Sequence, residues 1–191
     1  MNIPAVELTD EELALLVQHG DKEQFGILME RYERKLFRYG NKFLSNQDNI
    51  EDVVQEVFIK TYQNIQSFDT KQKFSSWIYR IAHNTYVNAL KKQSRSPLYM
   101  FDFDTLISHT VVDDPIVKER EQKEMRKIVD AGLEKLSPNY REILVLYYLE
   151  EFSYQEISDI LRIPIGTVGI RLSRAKAALR KSYADLKIDL H

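Results

Sequence analysis

The stretch 152–181, FSYQEISDILRIPIGTVGIRLSRAKAALRK, constrains the fold of this chain more than any other segment. Ser153 followed by Glu156 has the spacing of a capping box, which predicts a helix beginning directly after the serine. Pro164 lacks an amide hydrogen and disfavours helical angles in the residue before it, so this helix must end there. A second helix is predicted to restart near Gly166-Thr167. Its apolar residues are Val168, Leu172, Ala175 and Leu179. Two short helices across a tight turn, the second rich in arginine, are typical of a DNA-binding helix-turn-helix.

The charge of the chain is unevenly distributed, although its formal net value is only −2. Residues 71–95 carry six basic side chains and no acidic one, and residues 162–181 do the same. Residues 1–30 hold seven acidic side chains against one lysine. Two basic segments in an acidic chain indicate two separate contacts with a polyanion. Two solvated helix faces would give the same pattern, so charge alone leaves both interpretations open.

Composition excludes several classes of protein. The 191 residues, 43% of them hydrophobic, fit one large domain or two small ones. There is no cysteine, and the four histidines lack ligand spacing, so neither a disulfide framework nor a zinc site is expected. The N-terminus does not resemble a signal peptide, and no apolar run approaches the roughly 18 residues that span a bilayer. We therefore expect a cytoplasmic protein without a metal or other cofactor.

Nearly every periodic segment has helical spacing. Helix starts are predicted from the pairs Thr9 and Glu12, Asp21 and Gln24, Asp48 and Glu51, and Ser137 and Pro138. Gly20 is expected to stop the first helix, and Gly40 to bend or end the second. Residues 96–117 contain two prolines and four aspartates and have no helical period. The sequence therefore predicts an all-α protein of two small helical domains, 1–95 and 118–191, joined by a flexible acidic linker, with the helix-turn-helix in the second domain.

The segment 50–65, IEDVVQEVFIKTYQNI, separates into two faces. The apolar face carries Ile50, Val54, Val57, Phe58, Thr61 and Ile65 at the spacing of a helix core. The opposite face carries Asp52, Gln55, Glu56, Ile59 and Gln63. Such a polar stripe is usually solvated surface, but an isoleucine among carboxylates fits a partner-binding face.

The basic segment 74–92, FSSWIYRIAHNTYVNALKK, is also predicted to be a two-faced helix. Its buried side is expected to hold Trp77, Ile78, Ile81, Ala82, Thr85 and Ala89. The other side is expected to hold mainly Tyr79, Arg80, His83, Asn84, Asn88 and Lys91. A mixture of rings, amides and cations suits single-stranded nucleic acid, because rings stack on unpaired bases and cations hold phosphates. Core packing is the alternative for Trp77, and half-buried packing is the alternative for Tyr79 and Tyr86.

On the second helix of the helix-turn-helix, the side opposite the apolar stripe carries the candidate DNA contacts. These are Ile170, Ser173, Arg174 and Ala177, with Thr167 and Arg171 flanking them. The helix N-terminus near Thr167 offers amides to a phosphate. Arg171 and Arg174 are candidates for reading guanine edges or for gripping phosphates, and the sequence leaves both roles open. Ile170 would touch a thymine methyl or only fill space.

Three of these segments, in this order, resemble the extracytoplasmic-function (group four) sigma factors, the small two-domain members of the bacterial sigma-70 family. IEDVVQEVFIKTY at 50–62 resembles the polymerase-clamp-binding helix of domain two. KFSSWIYRIAHN at 73–84 resembles the promoter-melting and −10 reading segment. The stretch 152–181 resembles the domain-four helix-turn-helix that reads the −35 element. The resemblance runs from about Asp21 to Ala184, and the linker carries none of it.

The resemblance implies a dissociable subunit that directs core RNA polymerase to specific promoters and aids their melting, in a stress or envelope response. It implies that Asp52, Gln55, Glu56 and Ile59 bind the polymerase. The implied −10 contacts are Lys73, Trp77, Tyr79, Arg80, His83, Asn84, Asn88, Lys91 and Lys92. The implied −35 contacts are Thr167, Ile170, Arg171, Ser173, Arg174 and Lys176. The resemblance also assigns the pocket for a flipped base to the loop 67–73 and the helix after it.

The partners that this resemblance implies are the polymerase core, through its clamp and flap, and promoter DNA. Members of the family are commonly held inactive by an anti-sigma factor, often membrane-bound, and no small-molecule substrate is expected. The acidic linker would lie in the basic nucleic-acid channels of the polymerase. Four positions depart from the usual residues of the family, namely His83, Asn88, Gly169 and Ile170. These departures leave the fold untouched and bear on the promoter sequence that is preferred.

Two other classes of function are alternatives to this one. An ordinary helix-turn-helix regulator, with residues 1–95 as a dimerising or sensing domain, would bind duplex operators without polymerase. The basic, aromatic segment at 71–95 argues against it, because a sensing domain has no need of such a segment. An enzyme is not expected, since no carboxylate is paired with a histidine, a metal-ligand set or a glycine-rich phosphate loop.

Overall fold

The computed structural model describes residues 8–44, 46–94 and 129–185, and all the regular elements in these ranges are helical. The chain divides into two compact units. This architecture confirms the predicted all-α fold of two helical domains. The predicted linker at 96–117, and with it the boundaries at 95 and 118, lies outside the described residues.

The described residues of the N-terminal unit form four α-helices. They are α1 (Asp10–Gln18), α2 (Glu23–Gly40), α3 (Gln47–Asn64) and α4 (Phe74–Ser94), with a 3₁₀ turn at Ile65–Ser67. The predicted capping box starts α1: the Thr9 hydroxyl accepts from the Glu12 amide at 3.2 Å, and the Glu12 carboxylate accepts from the Thr9 amide at 2.8 Å. Gly20 has φ +102°, a left-handed conformation that ends the helix at low cost only for glycine.

The start of α2 differs slightly from the prediction. The Gln24 side-chain amide donates to the Asp21 carboxylate at 3.0 Å, so the two predicted residues do meet. The residue that precedes the helix, however, is Lys22, which makes no side-chain cap bond. Asp21 therefore stabilises the turn before α2 and does not cap its backbone. Gly40 was predicted either to bend the helix or to end it, and the helix ends there.

The predicted cap of α3 is wrong. The helix is capped by Asn46, whose side-chain oxygen accepts from the Asn49 amide at 3.1 Å. Asp48 lies in the first turn instead. Asparagine and aspartate cap helices about equally well. Asn46 is the cap because its backbone is extended, as an N-cap residue requires. A carboxylate in the first turn still interacts favourably with the helix dipole.

Aromatic rings fill the core of the N-terminal unit. Tyr39 of α2 contacts Phe43, Tyr79 and Tyr86 edge-on, with ring centroids 5.1, 5.4 and 5.6 Å apart. A second group joins Phe68, Phe74 and Trp77 at 5.0 to 5.7 Å. Edge-to-face pairs stabilise by about 0.5–1.5 kcal/mol beyond the area that they bury. These rings join α2 to α4 and hold the connection before α4 against that helix.

The C-terminal unit begins, in the described residues, with a helical segment at 129–134. It continues with α5 (Pro138–Leu144), a π-helical turn at Val145–Leu149, α6 (Tyr154–Leu161) and α7 (Ile165–Asp185). Ser137 precedes α5 with proline in the first turn, as predicted. The capping box of α6 is formed, with Glu156 accepting from the Ser153 amide at 2.9 Å. The helix α7 begins one residue earlier than predicted. Of its predicted apolar stripe, Val168, Leu172 and Ala175 lie in the core, whereas Leu179 is half-buried.

The turn between α6 and α7 is closed by local hydrogen bonds. The Ser158 hydroxyl donates to the Ile163 carbonyl at 2.6 Å, and the Ile163 amide donates to the Ser158 carbonyl at 3.3 Å. Arg162 adopts φ +54°, which turns the chain out of α6. Pro164 follows and cannot continue the helix, so the predicted break falls where the proline requires it.

Arg141 is a buried cation that the sequence pattern did not reveal. Its side chain donates to the carbonyls of Leu133, Glu134 and Leu136 at 2.9, 2.7 and 3.3 Å. These carbonyls lie at and just after the end of the 129–134 segment, where a helix leaves its last carbonyls unpaired. Burial lowers the pKa of Arg141, but an arginine remains protonated. One guanidinium therefore caps the helical segment and ties it to α5.

We predict opposite effects for alanine at two glycines of α2. A Cβ at Gly40 would overlap the Tyr86 phenol, which is buried and donates to the Leu36 carbonyl at 3.1 Å, so Gly40→Ala should lower the free energy of unfolding by about 1–3 kcal/mol. A Cβ at Gly26 would meet nothing within 4 Å, so Gly26→Ala should raise it by about 0.5–1 kcal/mol. Urea unfolding of both variants checks this. If both variants were stabilised equally, the Tyr86 phenol would have moved aside at no cost in free energy, and the prediction for Gly40→Ala would be wrong.

Candidate nucleic-acid and partner interfaces

The exposed side of α7 is the candidate surface for duplex DNA. Ile170 is 57% exposed, and Ser173 and Arg174 are exposed beside it. Thr167 and Arg171 are half-buried at the edges of this side. Ile170, Ser173 and Arg174 thus face away from the buried stripe and are flanked by Thr167 and Arg171, as the periodicity predicted. An α-helix of 21 residues with one polar, cationic side has dimensions that fit the major groove.

The N-terminus of α7 offers fewer amides than predicted. The amides of Thr167 and Val168 donate to the Pro164 carbonyl at 2.8 and 3.2 Å. The Thr167 amide is therefore already bonded within the protein. Only the first residues of the helix, 165 and 166, are left as candidates for a phosphate.

Lys176 is directed toward two tyrosines. Its ammonium lies over the rings of Tyr148 and Tyr147, at 5.3 and 5.8 Å from their centroids. A hydrogen bond with Tyr148 raises the pKa of Lys176. The Tyr154 ring packs edge-on against Tyr147 at 5.5 Å, which extends the group along the surface. Lys176, which was predicted among the DNA contacts, thus forms a cation–π cluster with these tyrosines.

The tyrosine cluster was not predicted from the sequence. Tyr147 and Tyr148 lie in the π-helical turn, and their rings meet at 4.8 Å although they are adjacent in the chain. A π turn inserts one residue into the helical repeat, and such turns are frequent at functional sites. Tyr148 is 52% exposed beside α7. In the sequence, the only sign of this cluster was that two tyrosines are adjacent. In a regular α-helix, adjacent side chains point about 100° apart, so the two rings would not both lie against α7.

The space around Gly169 does not explain why this position lacks a side chain. A Cβ there would meet the Tyr154 ring at 3.6 Å, which is ordinary van der Waals contact. The backbone of Gly169 is helical and not left-handed. The effect of the glycine is to leave the adjoining ring of Tyr154 uncovered on this side.

The exposed side of α4 carries cations and amides but none of the predicted rings. Lys73, Asn84, Asn88, Lys91 and Lys92 are exposed, and Arg80 and His83 are half-buried. Trp77 is only 7% exposed and packs on Phe68 and Phe74, in agreement with the core alternative.

The predicted placement of Tyr79 on the open side of α4 is wrong. The side chain is 1% exposed and packs against Tyr39. Tyr86 is buried as well, so α4 turns more than half of its circumference toward other helices. The prediction assumed that α4 has one buried face and one open face, whereas other helices cover α4 on two sides. In this structure neither Trp77 nor Tyr79 offers a ring face on which a base can stack.

The acidic face of α3 is exposed as predicted. Asp52, Gln55 and Glu56 are exposed, and Ile59 is 56% exposed among them. Tyr62, one helical turn from Ile59, is also exposed and packs its ring on Phe25. These side chains form a mixed acidic and apolar surface, and an exposed isoleucine beside an exposed tyrosine is the feature that makes it a candidate for binding a partner.

Lys60 connects this acidic face to α4. Its ammonium pairs with the Glu56 carboxylate at 2.6 Å and donates to the Thr85 hydroxyl at 3.2 Å. The ion pair is well exposed, so it contributes at most a few tenths of a kcal/mol to stability. Lys60 was not predicted from the sequence, because its contact with α4 spans 25 residues of sequence.

The loop 67–73 connects the 3₁₀ turn to α4. The ring of Phe68 is buried, whereas Asp69 and residues 71–73 are exposed. Asp69 shapes the loop: its carboxylate accepts from the Lys71 amide at 3.0 Å, and its carbonyl accepts from the Gln72 amide at 2.9 Å. The loop is thus an ordered turn with a buried ring at its start and solvent-facing residues at its tip.

Metal-ligand clusters and membrane-spanning helices are both absent from the part of the chain that the structure describes. Residues 8–44, 46–94 and 129–185 contain no group of three or more His, Asp or Glu side chains able to hold a metal ion. Within the same part of the chain, no helix is both long and apolar enough to cross a membrane.

Both units match models of a known family. Sigma-70 region 2 matches residues 28–96, and Sigma-70, region 4 matches residues 126–179. The ECF RNA polymerase sigma factor SigW of Bacillus subtilis is 36% identical over 178 residues, which cover 89% of this chain and 94% of SigW. The ECF RNA polymerase sigma-E factor of Haemophilus influenzae is 36% identical over 188 residues, which cover 95% of this chain and 99% of that factor.

Solved structures agree with these matches. CnrH in complex with the cytosolic domain of CnrY has a TM-score of 0.68 and 25% identity, covering 95% of this chain and 99% of CnrH. The sigma factor RpoE of Bartonella quintana, solved with the anti-sigma factor NepR, has a TM-score of 0.69 and 24% identity, covering 88% of this chain and 99% of RpoE; this likeness shows the fold alone.

A region 2 unit followed by a helix-turn-helix region 4 unit defines a sigma-70-type transcription initiation factor. The chain belongs to the extracytoplasmic-function group of the sigma-70 family and is an RNA polymerase sigma factor.

Proposed function

We propose that this sigma factor binds core RNA polymerase reversibly, reads the −35 element with α7 and melts the −10 element with α4 and the loop 67–73. The observation that carries the proposal is the side of α7 opposite its buried stripe, where Ile170, Ser173 and Arg174 are all exposed. The exposed face of α3, Asp52 to Ile59, would bind the polymerase clamp. In this proposal the first domain spans 1–95 and the second spans 118–191.

At the −35 element, α7 would lie in the major groove. Arg174 is the best candidate for a guanine edge, because it is exposed near the centre of the face. Ile170 would contact a thymine methyl, an apolar group that a polar side chain would not favour. The half-buried Arg171 and Thr167 would position the helix on phosphates. Lys176, held by the tyrosines, would contribute less directly than the other five.

At the −10 element, the exposed amides and cations of α4 would hold the separated strand. Asn84 and Asn88 would bond to base edges, and Lys73, Lys91 and Lys92 would hold phosphates, with Arg80 and His83 beside them. Opening the duplex costs about 1–2 kcal/mol per base-pair step, and a stacked flipped base recovers about 1–3 kcal/mol. Because Trp77 and Tyr79 are buried, we propose that a flipped base is captured in the loop 67–73.

The remaining partners follow from the family. CnrH and RpoE were each solved with a bound protein, the cytosolic domain of CnrY and the anti-sigma factor NepR. We propose that an anti-sigma factor likewise inhibits this chain. A sigma factor works where core polymerase and chromosomal DNA are, which places its activity in the cytoplasm. It would act as an initiation subunit and not as an enzyme.

The proposed function is tested by transcription in vitro with purified core polymerase. Core enzyme plus this chain should start transcription at defined positions on genomic DNA, and core enzyme alone should not. Sequencing of the start sites then gives the promoter. An ordinary helix-turn-helix regulator would instead shift duplex DNA without polymerase. Failure to bind core enzyme, together with tight binding to duplex alone, would contradict the proposal.

A base-reading role for Arg174 predicts a sequence-dependent loss. Arg174→Ala should weaken binding of the holoenzyme to its own −35 element by about 1–3 kcal/mol, with little effect on a scrambled element. Fluorescence anisotropy on both duplexes measures the difference. Arg180→Ala changes an exposed arginine on the same helix, one turn beyond the last predicted contact; it is the matched control and should change neither value. An equal loss on both duplexes would assign Arg174 to a phosphate.

The acidic face of α3 predicts a charge-dependent interaction with core polymerase. Glu56→Lys should reduce the affinity for core at least tenfold, because it reverses the charge within the proposed contact. The new lysine would face Lys60, but a like-charged pair one turn apart on a helix costs only about 0.2–0.5 kcal/mol, so the fold should persist.

The control for this prediction is Glu33→Lys, which makes the same change in net charge at an exposed position of α2. It should leave the affinity for core unchanged, as measured by titration of labelled sigma factor with core enzyme. Retained affinity in Glu56→Lys would remove α3 from the interface.

A further inference from the structure

Hydrogen bonds join helix α1 to the loop before α4. The proposed function described above does not make use of them. The Gln18 side-chain nitrogen donates to the Ile65 carbonyl at 2.7 Å and to the Phe68 carbonyl at 2.8 Å. A primary amide carries two N–H donors, so one side chain satisfies both carbonyls. Because both partners are acceptors, the nitrogen must face the loop. In the opposite direction, the Gln66 side-chain amide donates to the backbone carbonyl of Gln18 at 3.0 Å.

A second contact from α1 holds the other end of the loop. The Glu11 carboxylate accepts from the Phe74 amide at 2.9 Å, across 63 residues of sequence. Phe74 is the first residue of α4, where a helix leaves its amides unpaired and its dipole favours a negative charge. Glu11 therefore caps α4 from another helix. Gln18 and Glu11 lie two turns apart on α1 and hold the loop at its start and at its end.

The helix α1 is itself fixed against α2. The Asp10 carboxylate accepts from the Arg31 guanidinium at 2.6 Å and from the Tyr32 hydroxyl at 2.5 Å. Leu13, Ala14 and Val17 are buried beneath the helix, so α1 cannot shift without exposing apolar area. The loop is thus held by a short rigid element that is anchored to the core on its other side.

We propose that Gln18 and Glu11 are positioning residues for promoter melting: they hold the loop 67–73 in the shape that accepts a flipped base of the −10 element. This inference rests on the proposed function of that loop. Between the two ties, the buried rings of Phe68 and Phe74 contact each other at 5.4 Å, while the exposed residues 71–73 form the tip. A loop ordered before binding loses less conformational entropy on capture, so the captured base is bound more tightly.

The test measures base capture directly. Holoenzyme is assembled from core polymerase and the full chain, and its affinity is measured for single-stranded oligonucleotides that carry the non-template strand of the mapped −10 element. One nucleotide at a time is replaced by an abasic site. With the wild type, the abasic site at the captured position should weaken binding about 5- to 150-fold, which corresponds to one stacked base.

Two substitutions remove the ties, one at each end of the loop. Gln18→Glu keeps the shape but sets oxygens against two carbonyls, and it should reduce the abasic effect to less than about twofold. Glu11→Ala removes the acceptor from the Phe74 amide and should do the same in part. Glu11→Gln keeps an acceptor oxygen at that place and should retain the full effect. If Gln18→Glu fails to fold, the pair of Glu11 variants carries the test.

A purely structural role of α1 predicts a different result. Glu12→Ala removes the capping box of α1 without touching the loop, so it should lower the melting temperature and leave the abasic effect intact. A full abasic effect in both Gln18→Glu and Glu11→Ala would overturn the inference. An equal loss in Glu12→Ala would overturn it as well, since any weakening of α1 would then suffice. If the wild type shows no sensitive position, the proposed capture by the loop fails and the inference fails with it.

Discussion

The edge-to-face packing of Tyr39 against Tyr79 and Tyr86 is the interaction on which the rest of the N-terminal unit depends. It sets the rotation of α4 about its own axis, and the bond from the Tyr86 hydroxyl to the Leu36 carbonyl holds that rotation in place. With these two rings turned inward, Asn84 and Asn88 are the residues of α4 that turn outward. The packing of the core thus determines which side chains of α4 are exposed, and these are the ones that the proposed function assigns to the DNA strand.

Local spacing predicted a large part of this structure, because capping and amphipathic periodicity act within a few residues. The capping boxes at Thr9 and Ser153 and the exposed position of Ile170 are of this kind. Tyr79 was misplaced, since periodicity assumes one buried face and α4 is covered on two. Side chains that bond across long stretches of sequence, such as Gln18, leave no local pattern by which they could be found.

The two units expose different kinds of surface. In the C-terminal unit, α7 has a regular helix side, with Ile170 and Arg174 exposed opposite a buried stripe. In the N-terminal unit, the rings of Tyr79 and Tyr86 on α4 are buried, and the loop 67–73 is the segment proposed to hold a base. Under the proposed function, duplex reading would depend on side-chain identity along one helix, whereas strand capture would depend on the shape of a loop that another helix supports.

The π-helical turn Val145–Leu149 has a consequence for how this protein can vary. A π turn contains one residue more than the α-helical repeat, so deleting one residue before Tyr147 would restore α-helical spacing and rotate the two tyrosines by about 100° about the helix axis. The ring of Tyr148 would then no longer lie under the ammonium of Lys176, and the cation–π contact would be lost. The loss of a single codon at this turn would thus change the surroundings of a lysine on α7 without altering any residue of α7 itself.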